Sequence, residues 1–579
     1  MDNRLSRVIR NVLLSSGIIV LCGGESIANI NGDGALIGAG KLLNTQKQTH
    51  PVLPENATAP DLQILDIPAE PTKQSDSGKR VVITSVNVDA GKLQNKKHDA
   101  EVQALLQKWL NKPLSFSELQ QMTYAVTNYY REAGYPVARA ILPPQKVTKG
   151  QLAIRVIEGR MSDPAVNNNS RLKTSFAEKM VRASICEKTC PDTVVSRERL
   201  ARTALLLNEL PGVDAGLALR PGKLPETTQL DVSLKPGQRF SGYIGVDNFG
   251  TSSSGEDRVV GGFTANELLG YADQLNLNVM RATDVNTWTG SIDYNVPVNY
   301  YGTRVGLRYS HLNYNLTGPF SSLDANGYLD EWDAYATHPL IRSFKNRLDA
   351  RLDLFHQEYK DELLRVDARR RNQGVTVGLN GQFAVAERGV TTTGISATLG
   401  DQDVLSDPFG QNASQSTGKF SKLNLQLGHE QGFGSRYSAF GQISGQLTDT
   451  NLDGSQKMIL GGPTGVRAYE VGSGGVDEGT LFTGELRSRW MPTLPSWMGS
   501  NNSITGAVFY DQGIGHFYRN APDRLIGSNR IDMSGAGSYV ALEKGNSYSL
   551  RLTWAHRTGD RIGSESDDDQ WWASFYKVF

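Results

Sequence analysis

The feature that most constrains this fold is the alternation of apolar and polar residues that runs through the chain after Arg239. In one stretch, four apolar residues alternate with two arginines and two aspartates: Leu348, Ala350, Leu352 and Leu354 against Arg347, Asp349, Arg351 and Asp353. Because successive side chains of a strand point to opposite faces, such a strand has one apolar and one charged face. This is the pattern of a transmembrane barrel with apolar residues outside and a water-filled interior. A soluble β-sandwich also alternates and remains the alternative.

Composition excludes several other classes of protein. A chain of 579 residues is too long for one compact core, so several structural units are expected. The mean hydropathy is −0.38, and no apolar run reaches about 18 residues, which excludes helical membrane spans. The 60 Lys and Arg residues balance 60 Asp and Glu residues, so no overall field attracts nucleic acid.

The β region must close on itself if it spans lipid, because no sheet edge can be left unpaired there. Ser241 to Phe579 is 339 residues. Sixteen strands would leave roughly 21 residues for each strand with its connection, against the ~9 to 11 that are needed to span. Fourteen or eighteen strands fit nearly as well. We predict an all-β transmembrane barrel of 16 antiparallel strands over residues 237–579.

The N-terminal region indicates export. Three arginines precede the apolar stretch Val12 to Cys22, and Ser26 and Ala28 supply the small residues of a cleavage site. We predict a signal peptide over residues 1–28; a membrane anchor is the alternative, although about 11 apolar residues are too few to cross a bilayer. Five prolines between His50 and Lys73 then predict an irregular linker over residues 49–78. Its 30 residues could extend on the order of 90 Å, enough to thread a membrane pore.

Two small α+β units precede the barrel. The first, residues 79–160, has the predicted order β-α-α-β-β: a strand at Val81 to Val88, a helix at Asp99 to Leu110, a second helix after the Ser115/Glu118 capping box, and strands at Val137 to Leu142 and Gln151 to Ile157. The order returns over residues 161–236, with helices at Ser175 to Ala183 and Arg197 to Leu210 and strands at Ala215 to Arg220 and Gln229 to Leu234. The first unit has a net charge of +7, which suits an acidic or polar partner or only a solvated face.

No catalytic residue, cofactor or metal site is predicted. Cys186 and Cys190 fit a local disulfide in an oxidising compartment; half of a zinc site is the alternative, but no second ligand pair lies nearby. His429 and Glu430 begin a zinc-protease motif that fails because Phe433 occupies the place of the second His. The calcium-like loop from Asp449 to Gly454 lacks its final acid, since Leu460 stands there.

Two motifs in the barrel region resemble those of the two-partner secretion transporters, the family of the filamentous haemagglutinin and haemolysin transporters. The segment from Leu460 to Tyr469 contains Val466-Arg467-Ala468-Tyr469, which is similar to the family's VRGY/F motif in a long sixth extracellular loop. Phe509-Tyr-Asp511-Gln-Gly513 is similar to its F-x-D-x-G barrel-wall motif, and Asp247 to Gly250 resembles the start of its barrel. The aromatic last strand, which ends at Phe579, resembles an outer-membrane assembly signal.

The resemblance implies that the sixth loop folds into the barrel lumen. Strand alternation places Asp511 on the lumen face with Phe509, and Glu485 on the lumen face of a neighbouring strand. Arg467 would pair with Asp511, with Glu485 as a second candidate partner, and so hold the loop inside. An ordinary lattice of lumen salt bridges without the loop is the alternative. Ala468 stands where the family usually has Gly, so the loop tip would be strained if that position required a positive φ.

The family also implies a function. It implies two POTRA domains in the periplasm, residues 79–160 and 161–236, which would bind a large secreted exoprotein. The exoprotein would be an adhesin, a haemolysin or a contact-dependent toxin. The barrel would pass it across the outer membrane of a Gram-negative bacterium without ATP. Residues 29–48 would form a helix that plugs the resting pore. The barrel would contact outer-membrane lipid, act as a monomer and be inserted by the barrel assembly machinery. An assembly factor of the same superfamily and a simple porin are the alternatives.

Overall fold

The structure is a computed structural model that describes residues 80–318, 321, 324–408, 416–492, 502–522, 527–545, 547–562 and 567–579. It also describes Ala39, Lys41 and Leu42 and three short strands, Ile18–Ile19, Ala28–Asn29 and Leu62–Ile64. Apart from these, the predicted signal peptide (1–28), plug helix (29–48) and linker (49–78) lie outside the described residues.

The first small unit has two helices packed on a sheet. Its elements are β1 (Val81–Val82), β2 (Ser85–Asp89), α1 (Lys96–Leu106), β3 (Pro113–Leu114), α2 (Phe116–Glu132), β4 (Arg139–Ile141) and β5 (Gln151–Ile157). The capping box is present, because the Ser115 side chain accepts a hydrogen bond from the N–H of Glu118 and the Glu118 side chain from that of Ser115. The single strand predicted at Val81 to Val88 is wrong in that two strands form. The first helix begins earlier than predicted, because Asn95 caps it, and it ends in a 3₁₀ turn at Gln107–Trp109.

The second unit repeats this order. It comprises β6 (Arg160–Met161), β7 (Ala165–Asn168), α3 (Thr174–Ile185), α4 (Arg197–Asn208), β8 (Val213–Pro221) and β9 (Thr227–Pro236). Strand β9 lies between β7, to which it is parallel, and β8, to which it is antiparallel. The predicted disulfide between Cys186 and Cys190 is present, and both residues are buried beside the core of this unit.

The linker contributes a strand to the second unit. Leu62–Ile64 pairs in parallel with the outer edge of β8, with Leu62 opposite Leu217 and Ile64 opposite Leu219. An edge is where a proline-flanked strand can lie, because only one side of it must supply ladder hydrogen bonds. The β8 edge of the second unit is therefore occupied by the protein's own chain.

Sixteen antiparallel strands close the barrel, as predicted. The first eleven are β10 (Phe240–Asp247), β11 (Arg258–Asn266), β12 (Gln274–Ala282), β13 (Trp288–Pro297), β14 (Arg304–Asn315), β15 (Asn326–Arg342), β16 (Asn346–Leu363), β17 (Val366–Val385), β18 (Gly389–Ser406), β19 (Gly418–Phe433) and β20 (Tyr437–Thr448). A loop hairpin of β21 (Met458–Ile459) and β22 (Gly475–Val476) follows. The remaining strands are β23 (Glu478–Trp490), β24 (Asn502–His516), β25 (Arg530–Lys544), β26 (Tyr548–Arg557) and β27 (Asp569–Val578).

The alternation in the sequence determines the two faces of the barrel. On β16, Leu352 and Leu354 are exposed on the outside, whereas Arg351 and Asp353 form an ion pair of 2.6 Å on the inner face. Among the barrel strands, length varies from 8 residues in β10 to 20 residues in β17. Among the described helices, none has the length and apolar character needed to cross a membrane.

The first and last strands meet at a short seam. Five residues of β10, Tyr243 to Asp247, pair with β27. Next to them, the backbone N–H groups of Gly242 and Phe579 each donate to the carbonyl oxygen of the other residue. The motif that begins the barrel extends this seam, because the Asn248 side chain bonds the backbone of Trp571 and Ala573 at 2.9 and 2.8 Å.

The second unit packs against one end of the barrel, called here the domain end; the opposite end is the loop end. Arg342 donates to Glu209, the C-cap residue of α4, at 2.8 Å and to Asp349 at 2.5 Å. Against Gly212 of the second unit, Glu267 lies in the turn after β11, only 2% exposed, and neither of its carboxylate oxygens has a hydrogen-bond partner. Burial, reinforced by Asp273 and opposed by Arg171, raises the pKa of Glu267 to about 7.

Candidate functional site in the barrel lumen

The sixth loop at the loop end, residues 449–477, folds into the barrel. Its base is the β21–β22 hairpin, and a bridge between Gly461 and Val466 tightens the segment that carries the first motif. Gly462 has φ of 114°, a conformation that other residues rarely adopt. Val466, Ala468 and Tyr469 are at most 1% exposed, so the motif lies in the protein interior.

Arg467 contacts the barrel wall at Asp511. Its Nε and Nη2 donate to the two oxygens of the Asp511 carboxylate at 2.8 and 2.7 Å, and its backbone N–H donates at 3.2 Å. Asp511 is fully buried and Arg467 is 5% exposed. A bidentate guanidinium–carboxylate pair of this kind fixes direction as well as distance.

Arg467 has three further contacts. Its Nη1 donates to Glu485 at 2.7 Å, and its guanidinium lies 3.4 Å from the centre of the Phe509 ring. Its backbone carbonyl accepts a hydrogen bond of 2.8 Å from the indole of Trp572 in the last strand. One loop residue thus links strands β23, β24 and β27; we call Val466 to Tyr469 together with Asp511 and Glu485 the loop lock.

Glycines on the wall make room for the loop. A Cβ at Gly513 would lie 3.1 Å from Val466, and a Cβ at Gly535 would lie 2.4 Å from the methyl group of Ala468. Ala468 is absent from the described residues with positive φ, so its methyl group causes no backbone strain. The methyl group occupies the space that Gly535 leaves free.

Other contacts hold the rest of the loop. The Tyr469 hydroxyl donates to the carbonyl of Asp560 at 2.8 Å. Nearer the loop base, Lys457 and Asp477 form a buried pair of 2.6 Å. Asp453, from the calcium-like stretch, instead pairs with Arg370 of β17. The loop is therefore bonded to opposite sides of the lumen.

A short piece of the predicted plug segment also lies in the lumen. Ala39, Lys41 and Leu42 are helical, and the Ala39 N–H donates to Asp361 of β16 at 2.9 Å. Ala39 and Leu42 pack with buried residues of β14, β15 and β16, among them Tyr314. Within the described ranges, no cluster of three or more His, Cys, Asp or Glu could hold a metal ion.

Two contacts of the lock were not foreseen from the sequence. Arg487 donates to the second oxygen of Glu485 at 2.7 Å, so Glu485 lies between two arginines. Strand alternation predicts that Arg487 faces the lumen, but it does not predict the hydrogen bond between Arg487 and Glu485. Trp572 belongs to the aromatic last strand, yet it is 105 residues from Arg467 and no local pattern indicates their contact.

Comparison with known proteins identifies the family. The profile described as haemolysin secretion/activation protein ShlB/FhaC/HecB matches residues 226–535, and the profile of the ShlB-type POTRA domain matches residues 81–159. The chain belongs to this haemolysin secretion/activation family. As a member, it is an outer-membrane transporter of the two-partner secretion class, with a POTRA domain at residues 81–159 before its barrel.

Relatives of this transporter agree with that assignment. The heme/hemopexin transporter protein HuxB of Haemophilus influenzae (strain 86-028NP) is 30% identical over 485 residues, which cover 83% of this chain and 84% of HuxB. Among solved structures, CdiB from Escherichia coli has a TM-score of 0.70 and 20% identity, and the match covers 94% of this chain and 100% of CdiB. BamA from Haemophilus ducreyi lacking POTRA domains 1–3 is more distant, with a TM-score of 0.50 and 15% identity over 86% of this chain and all of that one. The two solved structures show a shared fold.

Proposed function

We propose that this transporter binds one large cognate exoprotein in the periplasm and passes it, unfolded, through the barrel to the cell surface. The observation that carries the proposal is the loop lock, in which Arg467 joins the sixth loop to Asp511 inside the lumen. The simple-porin alternative accounts for the barrel but gives the Arg467–Asp511 pair no role in transport. The exoprotein is an adhesin, a haemolysin or a contact-dependent toxin, and relatives named as a heme/hemopexin transporter and as CdiB are consistent with a dedicated partner.

The exoprotein binds at a POTRA sheet edge, where an added strand gains main-chain hydrogen bonds. In the second domain the β8 edge already pairs with Leu62–Ile64. In the first domain, no described strand pairs with the outer edge of β4, the strand beside α2. At this edge the backbone N–H of Ala140 donates instead to the side-chain hydroxyl of Thr127 of α2 at 2.9 Å. An incoming strand could replace that side-chain acceptor, and the +7 charge of the first domain would attract an acidic partner.

Residues 29–48 plug the resting pore. The support is that Ala39 and Leu42 are buried against the lumen wall and that Ala39 is hydrogen-bonded to Asp361. The segment would leave the lumen before the exoprotein enters, because both occupy the same space.

Transport uses no enzymatic step in this proposal. Folding of the exoprotein outside the cell removes unfolded chain from the pore and so drives its passage. The protein acts as a monomer, and Phe579 serves its own insertion by the barrel assembly machinery. The alternative, an assembly factor for other barrels, is favoured only by the more distant similarity to BamA.

Gene deletion tests the proposal. Quantitative proteomics would compare the culture supernatant and the outer membrane of the deletion strain with those of the parent and of a strain complemented with the wild-type gene. Loss of one large exoprotein, restored by complementation, is expected. Broad depletion of other barrels would instead identify an assembly factor, and no change in either fraction would leave the porin alternative.

A further inference from the structure

A cluster of arginines lies in the lumen on the domain side of the loop lock. Five of them line a cavity of about 480 Å³: Arg388, Arg436, Arg487, Arg489 and Arg551. Two come from the turns that join β17 to β18 and β19 to β20, and three from inward positions of β23 and β26. We call this cavity the arginine chamber.

The chamber carries more positive than negative charge. Glu430 accepts from Arg487 at 3.0 Å, and Glu543 lies 3.6 Å from Arg489. Within the described part of the chain, no carboxylate is within ion-pair distance of Arg388, Arg436 or Arg551. Arg551 instead lies 3.7 Å from the centre of the Tyr539 ring, and its buried Nε has no hydrogen-bond partner. Three guanidinium groups therefore face the cavity without a described carboxylate in ion-pair contact.

Such an arrangement favours an anion. Like charges that share a partly enclosed cavity repel each other more strongly than in open water, and a bound anion relieves that repulsion. Guanidinium groups remain charged at every physiological pH and present paired donors that match a carboxylate. The cavity is also far larger than the roughly 30 Å³ that one water occupies, so it can hold more than one small group.

The ligand reaches the chamber through the lumen. The chamber arginines on β23 and β26 point inward, while their neighbours Leu486, Leu550 and Leu552 are exposed on the lipid face. Lipid headgroups outside the wall are therefore separated from these arginines by the sheet. The chamber lies between the domain end, where an exoprotein enters, and Glu485, to which Arg487 is bonded.

We infer that the arginine chamber binds the carboxylate side chains of an extended acidic peptide segment before that segment reaches the loop lock. This inference rests on the proposed function, which supplies an unfolded polypeptide in the lumen. It goes beyond that function because it assigns a chemical preference to one part of the path. The binding is independent of the POTRA edge and does not require the lock to open.

Peptide binding to the purified full-length protein tests the inference. Fluorescein-labelled octaglutamate would be titrated with the protein in detergent, with fluorescence anisotropy as the measurement. We expect saturable binding that weakens with salt and that unlabelled octaglutamate, but not octaserine, displaces. Arg551→Gln should weaken binding on the order of fivefold, and the exposed double variant Arg388→Gln/Arg436→Gln by at least as much.

A matched double variant distinguishes the chamber from general charge. Arg365→Gln/Arg369→Gln removes the same charge from exposed residues at the loop end and should leave binding unchanged. Equal losses in both double variants, or no loss in either, would overturn the inference. Displacement by inorganic phosphate as effective as by octaglutamate would also overturn it, in favour of a phosphate ligand. Because the assay needs no exoprotein, these results are separable from failure of the secretion test.

Discussion

Asp511 accepts three hydrogen bonds from Arg467, and one of them comes from the backbone N–H rather than from the guanidinium. The loop is therefore positioned both by a side chain and by its own main chain. Replacement of the side chain removes two of these bonds and leaves the Asp511 and Glu485 carboxylates buried without their shared cation. Losing one partner of a buried ion pair costs about 3–5 kcal/mol, whereas the barrel strands do not depend on it.

Arg467→Ala is expected to abolish secretion while the barrel still assembles. Secretion by Arg467→Lys should be nearly as low as that by Arg467→Ala, because an ammonium group cannot form the bidentate contact with Asp511. Exoprotein in the supernatant and heat-modifiable mobility of the barrel are the measurements. Arg369→Ala, at an exposed pair with Asp367, is the control and should secrete normally. Normal secretion by Arg467→Ala at wild-type abundance would refute the role of the lock.

The contact between Ala468 and Gly535 gives a reciprocal test. Gly535→Ala would bring two methyl carbons to 2.4 Å, which must displace the loop and should lower stability by about 1–3 kcal/mol. Ala468→Gly alone should change little, because Ala468 is not at positive φ. The double variant Ala468→Gly/Gly535→Ala should recover most of the loss in thermal unfolding measurements.

Gly441→Ala is the matched control for that cycle, since a Cβ at Gly441 meets no atom within 4 Å. Equal effects of Gly535→Ala and Gly441→Ala would show that the loop contact is not responsible.

Deletion of residues 29–48 should increase the resting conductance of the protein in planar lipid bilayers. The expected reason is that Ala39 and Leu42 no longer occupy the lumen against Asp361 and Tyr314. A deletion of residues 66–76, which spares both the lumen segment and the strand Leu62–Ile64, should leave conductance unchanged. Identical conductance of the two deletions would contradict a plug.

Arg139→Glu should reduce secretion severalfold without loss of the folded domain. Arg139 is exposed on β4, at the edge that lacks a strand partner among the described residues, and the substitution reverses the charge that an acidic partner would meet. Lys146→Glu makes the same charge change at an exposed position in the β4–β5 loop and is the control. Supernatant exoprotein per cell is the measurement, and a larger effect from Lys146→Glu would argue against this edge.

The junction between the second α+β unit and the barrel should depend on pH through Glu267. Its carboxyl has a pKa of about 7 in the folded chain against an ordinary 4.5, so the folded state binds more protons between these values. Stability should therefore fall as pH rises from 4.5 to 7 and stay constant above. Glu267→Gln should remove that dependence and raise the unfolding temperature at pH 8, with little change at pH 4.5. An unchanged pH profile in Glu267→Gln would contradict this assignment.

Alternation explains how much of the lock was predictable. A period of two places Phe509 and Asp511 on the lumen face of β24 and Glu485 on that of β23. The bonds of Arg467 to Trp572 and of Glu485 to Arg487 depend instead on barrel closure and on rotamer choice. The strand Leu62–Ile64 was missed because three residues between Pro60 and Pro68 show no period, and the strand exists only through its pairing with β8.

The unequal lengths of the barrel strands determine the height of the barrel wall at the loop end. Strand β16 has 18 residues where ~9–11 suffice to span, so it continues roughly 20 Å past the apolar band at the loop end. On that extension the outward residues are polar or charged: His356, Glu358, Lys360 and Glu362. The strands beside the seam, β10 and β27, have only 8 and 10 residues and form no such extension. The barrel mouth is therefore oblique, with a tall water-facing wall on the side of β16 and a low rim beside the seam, where the opening lies nearest to the membrane surface.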